Sequence, residues 1–495
     1  MKLRVAALAS LLGLLGSSLG SAQAIAETSC PAPKTRMKFA PQTYIDTDFA
    51  GGEPTVEAHP DGTLFYGAHA GTTHIFAPAA ADEDSTAFVE HYTNQTYIWV
   101  SHDDGKTWKF IPRFMPPDNV PGTGFSDPDF AIDKAGQVYA SEINLVNVAM
   151  SKADDPQHED FTLQNFFAQT ITDRQWSEAD QRDVLYLVGN AFGGGTFPTK
   201  PAGNFGHFLY KSTDGGRTFS PGDPDGAGLG DLQVDKRNGT LYEAWYDDDV
   251  LSMAAFRDAR SNPFTTNVQP DLNEIARNVD MNFTAHWPSL DVDDHGNVYI
   301  VWSEDGNDGT GARPGGIWYS YSTDAGNTWA APIQVDSDRD GTDIWPWLAV
   351  GAPGRVAISW LEAPGEPLPG NDPEDAGGSP LSTADDRPWV IEAAQTLNGL
   401  GCRSSSVPGF RTVVATPDPV HRGTICRQGT ICQAQLIDRR MGDYFSIEIN
   451  EQGHMFAGYS DTRQGGMVAL PGYVRQVGGP VFQKPPSTRV KAARR

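Results

Sequence analysis

The chain has little that would make helices. Past its first two dozen residues, runs of Ala, Leu, Glu and Lys are scarce, and 52 Gly and 36 Pro punctuate its 495 residues. Helix interiors tolerate neither well, which argues against an all-α fold. Long apolar runs are also missing. After the N-terminal stretch no segment is apolar enough to span a bilayer, so membrane insertion is not expected. Positive charge is in deficit, with 37 Lys and Arg against 63 Asp and Glu and a net charge of −26. Such a surface repels nucleic acid and anionic membranes, and neither is expected as a partner. Cysteine is sparse: Cys30, Cys402, Cys426 and Cys432, with no Cys-x-x-Cys pair and no suitably spaced histidine beside them. That weighs against a thiolate metal centre.

The first residues carry Lys2 and Arg4, a short apolar stretch broken by Gly and Ser, and a small-residue Ala-x-Ala end. They read as a secretory signal peptide over residues 1–24, with cleavage after Ala24 or Ala26. Glu-Thr-Ser precedes Cys30 and is not a lipobox. The expected location is therefore extracellular or periplasmic. Loss of Lys2 and Arg4 leaves 35 basic against 63 acidic residues, a mature charge of −28. Export permits two disulfides, and four cysteines allow three pairings. Cys30 with Cys402 and Cys426 with Cys432 is the arrangement favoured. The tail over residues 484–495 has five positive charges and no acid, and is expected to be disordered.

What is present is β-grammar. Val, Tyr, Trp, Phe and Thr recur in short runs cut by Gly, Asp and Asn. One unit repeats: a short apolar strand, a turn of the Asp-x-x-Gly kind, then an alternating strand with Tyr or Trp. Copies begin at Glu53, Asp127, Asp173, Gly230, His286, Asp343 and Gly442, and the four starting at 173, 230, 286 and 343 are spaced by 57, 56 and 57 residues. That interval suits a four-stranded antiparallel sheet, and radial stacking of such sheets hides their edges. The expected fold is all-β: a β-propeller of four-stranded antiparallel blades, seven by copy count, with six as the alternative. It would occupy residues 45–480 as one domain. Insertions are expected at 193–206, at the Pro-, Gly- and acid-rich stretch 363–388, and at the cysteine-bearing stretch 400–432.

A second phrase, Ser-x-Asp-x-Gly-x-Thr-Trp/Phe, begins at Ser101, Ser212 and Ser322, spaced by 111 and 110 residues. Its place is the turn between the third and fourth strands of a blade. Asp would accept backbone N–H bonds there, and Gly would supply the left-handed bend. This octet is similar to the Asp-box, or BNR repeat, of the sialidase superfamily of β-propellers. With GGEP (51–54), DRQW (173–176), WPWLAV (345–350), GDY (442–444) and SDTR (460–463), nearly the whole mature chain resembles bacterial secreted sialidase-like proteins. The resemblance implies a carbohydrate-active protein: a glycoside hydrolase acting on terminal sugars of extracellular glycans. It also implies that the octet lies on outer turns, away from substrate. A sialidase site would bring three arginines around a substrate carboxylate, a Tyr nucleophile paired with Glu, and an Asp acid/base. The family's N-terminal Arg-Ile-Pro is missing. The nearest string, Pro112-Arg113-Phe114, follows the first octet instead of preceding it.

A propeller's ligand site usually lies over the central channel, on loops that enter the innermost strands. The residues placed there are Glu53, Asp127, Asp173 with Arg174, Asp231, His286, Asp343, and Arg440 with Asp443. Arg174, Arg440 and Arg463 are the candidate arginines, with Arg387 further off. Tyr246 near Glu243 is the candidate nucleophile and base, although an i, i+3 pair points to opposite faces of a regular strand. The candidate catalytic residues are Asp127, Arg174, Tyr246, Glu243, His286, Arg440 and Asp443. His286 would also serve a polysaccharide lyase, and a non-catalytic glycan- or protein-binding propeller is the alternative from another class. Asp336, Asp338 and Asp340 match the start of a calcium loop, without its Glu at the twelfth position. No cofactor is required, calcium is the one ion admitted, and a monomer is expected.

Overall fold

The computed structural model describes residues 28–69, 96–111, 126–143, 148–167, 171–192, 207–220, 223–224, 230–247, 249–264, 270–279, 281, 288–304, 315–336, 341–365, 386–403, 406–425, 438–464 and 468–483. The leader, the basic tail, the 193–206 insertion, His286, Asp338, Asp340, Cys426 and Cys432 lie outside them.

Seven antiparallel sheets form a ring, and the six-bladed alternative falls. Blade I is built from Gly52–Ala58, Leu64–His69, Tyr97–Ser101 and Lys109–Phe110, ordered from axis to rim as in the chain. The innermost strands of the next six blades are Ser126–Ile132, Ile171–Ala179, Leu232–Asp235, Ser289–Val292, Gly341–Val350 and Ser446–Ile449. These innermost strands fall at the start of the seven repeated units. Each packs against the innermost strand of the next blade, and Ser446–Ile449 returns to Gly52–Ala58.

Closure uses the N-terminus, which the repeat count did not reveal. Blade VII takes three strands from the C-terminal end, and its fourth is Lys38–Phe39, antiparallel to Leu470–Gly478. Thr43–Tyr44 pairs with the same strand. Further out, Thr28–Ser29 runs parallel to Ser406–Val407, and a disulfide joins Cys30 to Cys402 with their Cα atoms 5.7 Å apart. This bridge is compatible with export, since such bonds persist in oxidising compartments. Among the described residues no helix is long and apolar enough to cross a membrane.

The core lies between blades. Phe65, Ile98 and Val100 of blade I meet Phe130, Ile132 and Val138 of blade II. Tyr66 and Trp99 meet Phe456 and Tyr473 of blade VII. The octets sit in the third-to-fourth-strand turns of blades I, III and V, as their spacing predicts. Asp214 accepts the Thr218 N–H at 2.9 Å and the Thr218 hydroxyl at 2.6 Å, while the Gly216 N–H donates to Ser212 Oγ at 2.9 Å. Asp103 and Asp324 repeat the pattern. The octet glycine does two things. Its φ is +70 to +81° in the three copies, and a Cβ there would strike the preceding blade: Tyr473 at 2.0 Å, Met150 at 2.6 Å or Met253 at 2.1 Å. The octet thus locks one blade onto its neighbour.

Candidate functional site

At the end of the channel where the inner strands begin, three consecutive blades share one device. The pairing register breaks between Gly52 and Thr55, between Ser126 and Asp129, and between Asp173 and Trp176. The residue in each bulge stands in the left-handed region: Glu53 at φ 45°, Asp127 at 50° and Arg174 at 54°. Blade VI repeats it with Trp345 at 55°. Proline follows three of them, as Pro54, Pro128 and Pro346. Proline has no N–H for the ladder and is accommodated at a bulge. In blade III Gln175 takes that place and donates to the Asp127 carbonyl. Left-handed non-glycine residues are strained, so the bulges are held by their surroundings.

The bulges aim charge at the axis. Arg174 is hydrogen-bonded to Asp443, and its Nη1 lies 3.7 Å from both Glu53 and Asp127. Arg439 is hydrogen-bonded to the same Asp443, donates to the Gly442 carbonyl at 2.6 Å, and approaches Glu53 at 3.4 Å. Gly442 has φ 72°, and a Cβ there would stand 2.2 Å from the Glu53 side chain. Only glycine lets the blade VII loop come this close. Glu53 and Asp443 are fully buried, and Arg439 is 1 % exposed. Three carboxylates and two guanidinium groups therefore form one desolvated network. Oxygens of Glu53 and Asp127 and a ring nitrogen of His69 also lie within 4.8 Å of one another.

Beneath the network is an aromatic layer. Trp176 stands 5.7 Å from Trp347 and 5.3 Å from Tyr444, ring centre to ring centre. Burial, then the charges of Asp127 and Glu53, push the Tyr444 phenol well above its ordinary value. Further along the channel come more carboxylates. Asp129 accepts the Ser177 N–H at 2.7 Å, Asp231 the Leu290 N–H at 3.0 Å, and Asp291 the Val350 N–H at 2.7 Å. Each bonds the inner strand of the following blade, so the open edge of one sheet is capped by its neighbour. Burial raises Asp129 and Asp291 to about 7 and Asp231 to about 8. Burial likewise lifts Glu57 to about 7, with the Lys236 charge opposing.

Of the residues chosen from sequence, Asp127, Arg174 and Asp443 converge in the network. Arg440 instead grips Asp438 at 2.6 Å. Glu243 faces His207 at 3.1 Å, while the Tyr246 hydroxyl donates to the Val279 carbonyl at 3.1 Å. Arg463 pairs with Asp461 at 2.8 Å and lies over the Tyr44 ring. Asp336 sits near Asp343, whose carboxyl is pushed well up by burial and then by Asp336. The residues sequence reasoning missed are Arg439, His69 and Tyr444. Arg439 carries a sequence signal, since it stands four residues before Asp443 and directly before Arg440.

No family model matches the chain, and no curated protein aligns with it. Solved structures do align. The chain is similar to a protein of unknown function from Dyadobacter fermentans DSM 18053, with 14% identity over 89% of this chain and 98% of that one, at a TM-score of 0.42. YCF48 aligns at 8% identity over 91% and 98%, with a TM-score of 0.46. The NanB sialidase of Streptococcus pneumoniae aligns at 12% identity over 90% and 70%, with a TM-score of 0.42.

Proposed function

We propose that this is a secreted, monomeric carbohydrate-active propeller, a glycoside hydrolase that takes terminal sugars of extracellular glycans at the channel mouth. One observation carries the reading. Three successive blades hold Glu53, Asp127 and Arg174 in strained left-handed bulges that aim charge at a single axial point. Such strain persists where function requires the geometry. Glycoside hydrolysis needs two carboxylates about one bond, and retaining enzymes hold them roughly 5–5.5 Å apart. Oxygens of Glu53 and Asp127 lie within 4.8 Å, which favours retention of configuration. Arg174 and Arg439 would orient an acidic sugar. Asp-box ancestry of the octets and a calcium ion at Asp336, Asp338 and Asp340 belong to the same proposal.

The test offers the mature protein a panel of aryl glycosides, a sialoside among them, and uronic-acid polysaccharides. Turnover with retention is expected, with Asp127→Asn lowering kcat at least about 100-fold while KM changes little. Absence of turnover on every member, with binding on a glycan array, would replace this reading with a binding propeller. Mutual saturation favours that second reading, because Arg174 and Arg439 already hold carboxylates.

A further inference from the structure

On the face opposite the network, where inner strands end, blades I and II meet through two histidines. His59 follows the innermost strand of blade I, and His158 lies in the third-to-fourth-strand turn of blade II. Their rings stand 4.3 Å apart, and one carboxylate reaches both. Asp61 Oδ1 is 2.8 Å from His59 Nδ1, and its Oδ2 is 3.3 Å from His158 Nε2. The three ligand atoms lie within 4.8 Å of one another. Ligands held at about 2.1 Å by a tetrahedral ion sit roughly 3.4 Å apart, so little movement would seat one.

Three further details suit a metal better than a bare turn. His59 Nε2 lies 3.1 Å from the Gly136 carbonyl, which fixes the proton there and leaves Nδ1 facing Asp61. Ligating histidines are held in this way by a second partner. Among the described residues, the Asp61 N–H, 3.2 Å from Nδ1, is the one hydrogen-bond donor that competes. His158 is 8 % exposed and turns Nε2 toward Asp61, so the nitrogen that would ligate is the one facing the carboxylate. His158 also stands at φ 56° in a turn tied by Asp155, which accepts the N–H groups of Gln157, Glu159 and Asp160. In blades III and V the same turn is an octet, with a glycine touching the preceding blade. Blade II carries a strained imidazole that meets His59 of the preceding blade.

We propose that His59, Asp61 and His158 bind a divalent first-row transition metal of the zinc class, bridging blades I and II. Two imidazoles and a carboxylate are a donor set for such ions rather than for calcium. Asp61 also lines a cavity of 450 Å³ with Thr63, His102, Asp103, Lys106 and Gln157. The remaining coordination position would open toward that cavity, leaving room for water or a small anion. The site is remote from the channel mouth, so it stands or falls independently of the glycan reading.

The experiment dialyses the full-length secreted protein against chelator, then titrates Zn²⁺ by calorimetry and Co²⁺ by visible absorption. One equivalent of Zn²⁺ is expected at micromolar affinity or tighter, with a tetrahedral Co²⁺ band and a melting temperature that rises with metal. His59→Gln with His158→Asn should weaken binding at least 10-fold and abolish the band. Asn keeps the left-handed turn, and circular dichroism reports whether the fold survives. X-ray absorption of the zinc-loaded wild type should show two imidazole shells, which decides the matter even if the double variant does not fold. No uptake, equal uptake by wild type and variant, or fewer than two imidazoles would overturn the site.

Discussion

The octet aspartates at the rim and the aspartates along the axis have the same side chain and do the same kind of work, yet their acidities shift in opposite directions. Asp103, Asp214 and Asp324 are drawn upward by partial burial, but N–H and hydroxyl donors from the following threonines outweigh it and hold them below their ordinary value. Asp129, Asp231 and Asp291 also accept backbone N–H groups, but their burial dominates and lifts them to about 7 or 8. A hydrogen bond stabilises a carboxylate anywhere, and only near solvent is that enough. The rim uses charge to tie a turn. The axis tolerates charge to cap sheet edges and, at the channel mouth, must add cations.

The largest effect is expected where those cations are removed. Arg439→Met leaves Glu53 and Asp443 buried with one guanidinium fewer, and should destabilise the fold by about 3–5 kcal/mol in denaturant melts. A loss under about 1 kcal/mol would mean that the network is not desolvated and the contrast with the rim is false. Next comes pH. Axial carboxyls with folded values near 7–8 keep protons that the unfolded chain, near 4, has already released. Between those values the native state binds more protons, so stability falls as pH rises. Melts at pH 6 should therefore exceed those at pH 8 by about 2–4 kcal/mol, allowing for water in the channel. Flat or rising stability over that window would contradict the raised values. The rim carboxylates have the opposite sign: their contribution is present at neutral pH and is lost only on acidification through their depressed values.

Much of this contrast was written in the chain. The Asp-x-x-Gly hairpins begin at the innermost strands, and the Ser-x-Asp-x-Gly-x-Thr octets mark rim turns, because both are local: turn chemistry and period-two alternation act within a dozen residues. The axial network is not local. Arg174 and Asp443 are 269 residues apart, and no spacing rule joins them. Choosing between Arg439 and Arg440 required knowing how the loop before Gly442 bends. The pairing of Lys38–Phe39 with Leu470–Gly478 carries no repeat signature, since two strand-forming residues are too few to stand out. A usable clue to the bulges was present all along in Glu53-Pro54, Asp127-Pro128 and Trp345-Pro346. Proline at the entry to a central strand demands a break in the ladder, and in blades I and II that break is where charge enters the channel.

Two conservative substitutions sharpen the comparison most. Asp214→Asn removes a charged acceptor from the Thr218 N–H and hydroxyl, and should cost about 1–2 kcal/mol at pH 8. Asp129→Asn is isosteric too, but it replaces a carboxylate that burial disfavours with a neutral amide. The amide oxygen can still accept from the Ser177 N–H and hydroxyl, at 2.7 and 3.0 Å in the native protein. At pH 8 this change should be neutral or stabilising by less than about 1 kcal/mol, and it should flatten part of the slope between pH 6 and 8. At pH 8 Asp214→Asn is therefore expected to lower the denaturation midpoint, while Asp129→Asn leaves it unchanged or raises it slightly. If Asp129→Asn were as harmful as Asp214→Asn, the axial carboxylate would be valued for its charge, and the difference between rim and axis would lie in something other than desolvation.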